Sequence, residues 1–197
     1  MPAPKLAKQF GRQAFGEDPA GYHSVRPEYP GWVYETLRSR CGLGRNVETF
    51  EIGAGTGTAT RRLLELGADP LMAIEPDRRL ADFLRKNNPD KALKVLVAAF
   101  EDVALEEGAF DLGVSATAFH LLDEDRALVK IASLLRPGGW WAVVWNVFGD
   151  DSQPDAFHEA TKELLEAPAS PSFGDRGIPF GLDAAARLAA LKHVSTK

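Results

Sequence analysis

The chain has 197 residues, 45% of them hydrophobic and 26% charged, with a formal net charge of −5. At roughly 150 residues per domain this predicts one domain with short additions, and the balance excludes a disordered, collagen-like or disulfide-stapled chain. The negative charge and the lack of a basic run exclude nucleic acid as a general partner.

One cysteine, Cys41, and four scattered histidines offer no disulfide and no metal-ligand cluster; Cys41 reads as a small buried hydrophobe. No run approaches the roughly 18 apolar residues of a membrane span, and Met1 to Phe15 is basic without the apolar block of a signal peptide. A soluble cytoplasmic protein that does not engage membranes is expected.

From Asn46 to Phe148, short β-rich apolar runs alternate with amphipathic helical runs, the pattern of an α/β fold with a doubly wound, mostly parallel sheet. Val47 to Ile52 reads as the first strand and Gly53 to Gly57 as a turn. Thr58 to Leu66 reads as a helix closed by Gly67. Leu71 to Glu75 is the second strand, and Asp77 caps a helix that buries Leu80, Phe83 and Leu84 and stops near Asn87, Asn88 and Pro89. Val95 to Ala98 and Asp111 to Ser115 are strands three and four. Asp123 to Leu135 is a helix with Leu128, Ile131, Leu134 and Leu135 inward. Pro137, Gly138 and Gly139 turn the chain into a fifth strand, Trp140 to Val147, where Trp140, Trp141 and Trp145 read as core and sheet-face residues. Beyond it, Asp155 to Leu165 and Asp183 to Leu191 read as helices and Ala167 to Gly181 as a loop.

The stretch Glu51-Ile52-Gly53-Ala54-Gly55-Thr56-Gly57-Thr58 carries the most chemistry. Glycines between a strand and a helix permit positive φ and let a ligand approach the backbone. A dinucleotide fingerprint would place its third glycine at position 58, which is Thr. Glu51 precedes the loop and would repel a pyrophosphate while attracting a cation. Glu75, 18 residues after Gly57, stands where a carboxylate accepts bonds from ribose hydroxyls. Together they describe a nucleoside with a positively charged, phosphate-free extension, which S-adenosylmethionine fits.

On these residues Asn46 to Phe148 resembles the core of the class I S-adenosylmethionine-dependent methyltransferases, of the small-molecule type. Glu51 to Thr58 resembles the family's first motif, Ala73-Ile74-Glu75-Pro76-Asp77 its ribose-binding acid, and Ala99-Phe100-Glu101-Asp102 its adenine loop. Ser115-Ala116-Thr117-Ala118-Phe119-His120 resembles the segment beneath the methionine moiety, and Leu134 to Trp141 the signature before strand five. Tyr22-His23-Ser24-Val25-Arg26-Pro27-Glu28-Tyr29-Pro30 resembles a segment that closes over the cofactor.

The resemblance implies a single Rossmann-like domain with an N-terminal helical lid (1–45), a cofactor-binding core (46–148) and a C-terminal helical, substrate-facing segment (149–197). It implies that Gly53, Ala54, Gly55, Thr56 and Gly57 run along the methionine moiety, with Glu51 holding its ammonium. Glu75, followed by Pro76, would bind the ribose. Asp102 would accept from the adenine amino group between Phe100 and Glu101. Ser115 and Ala116 would underlie the methionine, and Tyr22 and Arg26 would bind its carboxylate.

Methyl transfer asks the protein mainly to align groups and exclude water. If the acceptor arrives protonated, His120 is the best-placed general base; a carboxylate acceptor needs none. The family's closing C-terminal hairpin is not accommodated, so a shortened or truncated chain is expected, with strand five covered by the C-terminal segment or by a second copy in a homodimer. Two other readings compete with methylation of a small molecule: binding of S-adenosylmethionine without catalysis, and a nicotinamide oxidoreductase on a related fold.

Overall fold

The computed structural model describes residues 8, 12, 14–147, 155–161 and 178–195. Along the chain lie α1 (Pro19–Val25), α2 (Gly31–Cys41), β1 (Val47–Ile52), α3 (Thr58–Glu65), β2 (Ala68–Ile74), α4 (Arg78–Asn87), β3 (Leu93–Leu96) and β4 (Phe110–Ala116). A 3₁₀ turn (Phe119–Leu121) precedes α5 (Glu124–Leu134), β5 (Leu135–Val144), α6 (Ala156–Thr161) and α7 (Ala184–Ser195).

Local chemistry sets the helix ends. Asp18 caps α1 by accepting from the Gly21 amide at 2.9 Å, with Pro19 in the first turn. Asp77 and Asp123 cap α4 and α5 through the amides of Arg79 and Arg126. Each cap satisfies an orphan N–H and contributes about 1 kcal/mol. Gly67, at φ +99 just past α3, supplies the left-handed residue that closes a helix.

The five strands form one parallel sheet in the order β3-β2-β1-β4-β5. Helices cover both of its faces, because alternate strand residues point to opposite sides and both sides are apolar. On one face Phe50 and Ile52 pack with Leu128, Ile131 and Leu134. On the other, Leu71, Leu112 and Val114 meet Tyr34, Leu37 and Leu63. Each fully buried Leu or Ile contributes about 1.5–3 kcal/mol.

One row across the sheet has a feature that periodicity does not reveal. Phe50, Gly113 and Trp141 are register partners on β1, β4 and β5. A Cβ at Gly113 would lie 2.4 Å from the Phe50 ring. The missing side chain lets Phe50 extend across β4 until its ring stacks against Trp141, 6.2 Å away and 15° from parallel.

Strand five differs from its expected span. Pairing with β4 begins at Leu135, opposite Phe110, and resumes at Trp140, opposite Leu112. The Arg-Pro-Gly-Gly segment is therefore a bulge inside the strand rather than a turn before it. Gly138 takes φ +84 there, and Arg136 pins the bulge to Asp111 with two 2.8 Å bonds. The strand ends at Val144, three residues before the expected Val147.

Trp141 is partly buried, but Trp140 is 49% exposed and outside the core, correcting the expectation for that residue. Strand two starts earlier than expected, at Ala68, and strand three runs from Leu93. Phe83 is only half-buried, lying beside His23, while Leu80, Ala81 and Leu84 form the buried face of α4.

Among the described residues no strand pairs with the outer edge of β5. Its end is packed by the C-terminal segment: Phe180 meets Trp145 with ring centroids 5.3 Å apart, and Arg187 of α7 pairs with Glu124 of α5 at 3.0 Å. The expected helix tail at 162–165 and most of the expected loop, at 167–177, lie outside the described residues. No described helix is long and apolar enough to cross a membrane.

Gly113→Ala is expected to lower stability by about 1–3 kcal/mol through overpacking against Phe50. A urea melt that leaves the midpoint unchanged would show that the Phe50–Trp141 row tolerates a methyl group.

Candidate active site

In a parallel sheet, ligand clefts form beyond the carboxyl ends of the strands where the winding reverses. Here that point lies between β1 and β4, neighbours whose next strands run to opposite edges. A cleft opens there, lined by the ends of β1, β2 and β4, the loop after β3, and N-terminal residues from Arg12 to Tyr29.

Its floor is the glycine turn. The amides of Gly53 and Ala54 donate to the Ile74 carbonyl at 2.9 and 3.3 Å, folding the chain across the end of β2. Gly55, at φ +57, has nothing within 4 Å of the place a Cβ would occupy; its backbone is open to a ligand. Gly57 serves a different purpose. It begins α3 at φ +92, and a Cβ there would lie 2.4 Å from Leu84.

Two carboxylates flank this turn. Glu51, on β1, is buried and accepts a 2.6 Å bond from the Thr60 hydroxyl. Burial pushes its pKa up to about 8, against the Thr60 bond, with the Glu75 charge adding to the rise. Glu75, just past β2, accepts from the amides of Gly55 at 2.8 Å and Asp77 at 2.9 Å. Burial likewise raises it to about 7, although both amide bonds favour the charged form. Burial at one cavity wall biases both acids toward their neutral forms, and a cation beside them would favour ionisation.

The roof comes from the N-terminal segment. Tyr22 stacks on Phe15 with centroids 4.6 Å apart, and the Arg26 guanidinium lies 5.7 Å from the Tyr22 ring. His23 shares a 3.0 Å hydrogen bond with Thr56 of the glycine turn. Arg12 crosses the mouth, bonding Glu101 at 2.5 Å and the Leu121 carbonyl at 2.9 Å. Tyr29 shares a 2.7 Å bond with Thr117, a non-glycine residue at φ +56 whose hydroxyl also accepts from the Asn146 amide.

The structure thus brings Tyr22, Arg26, Glu51, Gly53, Ala54, Gly55, Thr56, Glu75, Pro76, Phe100, Glu101 and Ala116 to one cleft. Four expected residues stand apart from the lining. Gly57 packs on Leu84, and Ser115 is buried with its hydroxyl on the Ile52 carbonyl at 3.0 Å. Asp102 is exposed; its amide bonds back to Ala99 at 3.0 Å, and Glu101 is the acid of that loop that reaches the cleft. Phe100 contributes less ring than expected, since it is buried in the core beside Phe50.

His120 is the fourth, and it corrects the general-base expectation. It lies in the 3₁₀ turn, buried, outside the lining, with Nδ1 accepting from the Trp145 indole at 3.3 Å. Burial lowers its pKa to about 4, so it is neutral at pH 7 and a weak proton acceptor.

Sequence reasoning missed Arg12, Phe15, Tyr29, Thr117, Leu121 and Leu122 as lining residues. Tyr29 and Thr117 lie inside segments that carried the resemblance. Arg12 has no local signal, since its partner Glu101 is 89 residues away. Among the described residues no group of three or more His, Cys, Asp or Glu could hold a metal ion.

Comparisons with known proteins find methyltransferases. The profile of a family described as a methyltransferase domain matches residues 50–143. An uncharacterized methyltransferase of Mycobacterium bovis is 35% identical over 133 residues, covering 68% of this chain and 52% of the relative. The sarcosine/dimethylglycine N-methyltransferase of Halorhodospira halochloris is 29% identical over 137 residues, covering 66% of this chain and 49% of that enzyme. The chain thus spans about half the length of these curated relatives. Among solved structures, a protein from Methanococcus maripaludis assigned as an S-adenosylmethionine-dependent methyltransferase superposes with a TM-score of 0.63 at 18% identity, covering 100% of this chain and 87% of that one.

The raised acids make stability depend on pH. Each is protonated in the folded chain and ionised in the unfolded one between the ordinary carboxylate value, near 4.5, and 7 to 8. Their contribution is full below that window and is lost as pH rises through it, by up to about 1.4 kcal/mol per pH unit for each group. Glu51→Gln is expected to flatten the slope, melting above the wild type at pH 8 and converging with it near pH 4.5. Parallel melting curves across this range would contradict the assignment.

Proposed function

We propose that this chain, which carries a methyltransferase domain, is a class I S-adenosylmethionine-dependent methyltransferase that binds S-adenosylmethionine in this cleft and methylates a small-molecule acceptor. The observation that carries the reading is the pair of buried acids, Glu51 and Glu75, on either side of an open glycine turn. A buried carboxylate needs a compensating charge or a proton. The cofactor brings positive charge on both its ammonium and its sulfonium, together with ribose hydroxyls that can donate to Glu75.

In this proposal Glu51 faces the ammonium end and Glu75 takes the ribose hydroxyls while the Gly55 and Asp77 amides fix its orientation. Arg26 and Tyr22 meet the carboxylate of the methionine moiety, since Arg offers a fork matched to it. Ala99, Phe100 and Glu101 border the base. Bound S-adenosylmethionine supplies an activated methyl group on a sulfonium sulfur. The work left to the chain is to align the acceptor and exclude water, which the N-terminal roof serves.

No histidine is among the described residues that line the cleft, and His120 is held neutral behind Trp145. A carboxylate acceptor, whose lone pair is already free, needs no base. A small acceptor suits a cleft roofed by its own N-terminal segment, and the Halorhodospira relative is named for the small amines it methylates. A nicotinamide cofactor suits the site poorly, because Thr58 stands where the third glycine of a dinucleotide-binding turn would be.

Calorimetric titration should show S-adenosylmethionine and S-adenosylhomocysteine binding to the wild type and lost, by at least about a hundredfold, in Glu75→Ala. NAD serves as the control; NAD binding in their place would reverse the reading. Since Glu51 is largely protonated at pH 7 and ionises beside an ammonium, binding should release part of a proton, seen as a heat that varies with the buffer's ionisation enthalpy. Glu51→Gln should diminish that release.

A further inference from the structure

The loop after β3 is a single helical turn: the amides of Asp102 and Val103 both bond the Ala99 carbonyl, at 3.0 and 3.2 Å. One turn of helix is marginal by itself, because nucleation fixes several residues for one or two hydrogen bonds. Three of its other carbonyls converge on one side chain. The ammonium of Lys130, on α5, donates to the carbonyls of Phe100 at 2.6 Å, Val103 at 2.5 Å and Glu101 at 3.2 Å. It also lies 4.9 Å from the centre of the Phe100 ring, which is anchored in the core against Phe50.

A lysine spent on three main-chain carbonyls does more than fill space. The carbonyls of a helical turn point one way and its N–H groups the other. With its carbonyls gathered on Lys130 and the Asp102 and Val103 amides turned back on Ala99, the turn is held so that Ala99, Phe100 and Glu101 line the cleft. Burial lowers the Lys130 pKa from the ordinary lysine value, and the nearby Asp102 and Glu101 offset part of that fall.

We propose that Lys130 is a positioning residue for base recognition: by clamping carbonyls of the 100–103 turn, it fixes that turn so that the Glu101 carboxylate, steadied at the mouth by Arg12, meets the cofactor's purine edge. The inference rests on the cofactor reading above. It predicts the sense of the recognition. Adenine offers an exocyclic amino donor, which matches the Glu101 carboxylate. Hypoxanthine presents a carbonyl at that position and would set an acceptor against the carboxylate, which is where hydrogen-bonding sites discriminate most.

The test compares the affinities of S-adenosylhomocysteine and its hypoxanthine analogue, S-inosylhomocysteine, for the wild type, Lys130→Met and Lys130→Arg. The wild type should prefer the adenine ligand by at least about tenfold. Lys130→Met should lose most of that preference, and Lys130→Arg, which keeps charged donors in reach of the carbonyls, should restore it. An unchanged preference in Lys130→Met, or an equal loss of both affinities, would overturn the inference, since a merely structural lysine would weaken both ligands alike. If Lys130→Met does not fold, Lys130→Gln is read by the same ratio. Failure of the wild type to bind S-adenosylhomocysteine at all would overturn the cofactor reading instead, and this inference with it.

Discussion

Burial of two carboxylates at the ends of adjacent parallel strands is the constraint around which the cleft is built. Glu51 and Glu75 stand on β1 and just past β2, where a low-dielectric interior favours their neutral forms. The protein tolerates this by supplying each with hydrogen bonds from its own scaffold: the Thr60 hydroxyl for Glu51, and the Gly55 and Asp77 amides for Glu75. Those bonds also set the shape of the glycine turn. The turn is held to Glu75 and to the Ile74 carbonyl before any ligand is considered, so most of the ordering entropy at this wall is already spent on folding.

The rest of the architecture keeps that wall rigid and its contents dry. Both faces of the sheet are covered, and the N-terminal segment crosses the strand ends with Arg12 joining the loop after β3 to the 3₁₀ turn after β4. Stabilising contacts and chemical groups are segregated along the strands. Arg136, Asp111 and the bulge lie at the amino ends of β4 and β5, whereas the acids lie at the carboxyl ends of β1 and β2. Fold stability and ligand chemistry can therefore vary with little mutual interference, as in other open α/β sheets.

The fold was largely legible in the sequence because strand and helix periods are local signals. The apolar run Val47 to Ile52 coincides with β1, and Asp77 and Gly67 punctuate helices as their chemistry predicts. The glycine turn and both buried acids were legible for the same reason, since residues within one short segment carry the pattern. What escaped depends on contacts distant in sequence. Asp102 and Glu101 are adjacent acids that composition cannot rank; the fold of one helical turn exposes the first and brings the second to the cleft. His120 looked reactive beside a strand end, yet its burial and its bond from Trp145, 25 residues on, remove it. Arg12 and Lys130 act on the same loop from opposite sides of it in sequence, 89 and about 30 residues away, and neither has a neighbour in sequence that announces it.

The bulge in β5 also governs the phase of the strand that follows it. Side chains on a strand alternate between faces, so a slip of one residue exchanges every inward position for an outward one. Three more residues are used on β5 than on β4 between the first two paired positions, and the Arg136–Asp111 pair holds that surplus in place. With the surplus fixed, Trp141 lies opposite Gly113 and reaches Phe50, while Trp140 faces outward. Two adjacent tryptophans are nearly interchangeable in shape and apolarity, so nothing in their own chemistry tells them apart. The length of a four-residue loop at the far end of the sheet from the cleft decides which of the two is the core residue.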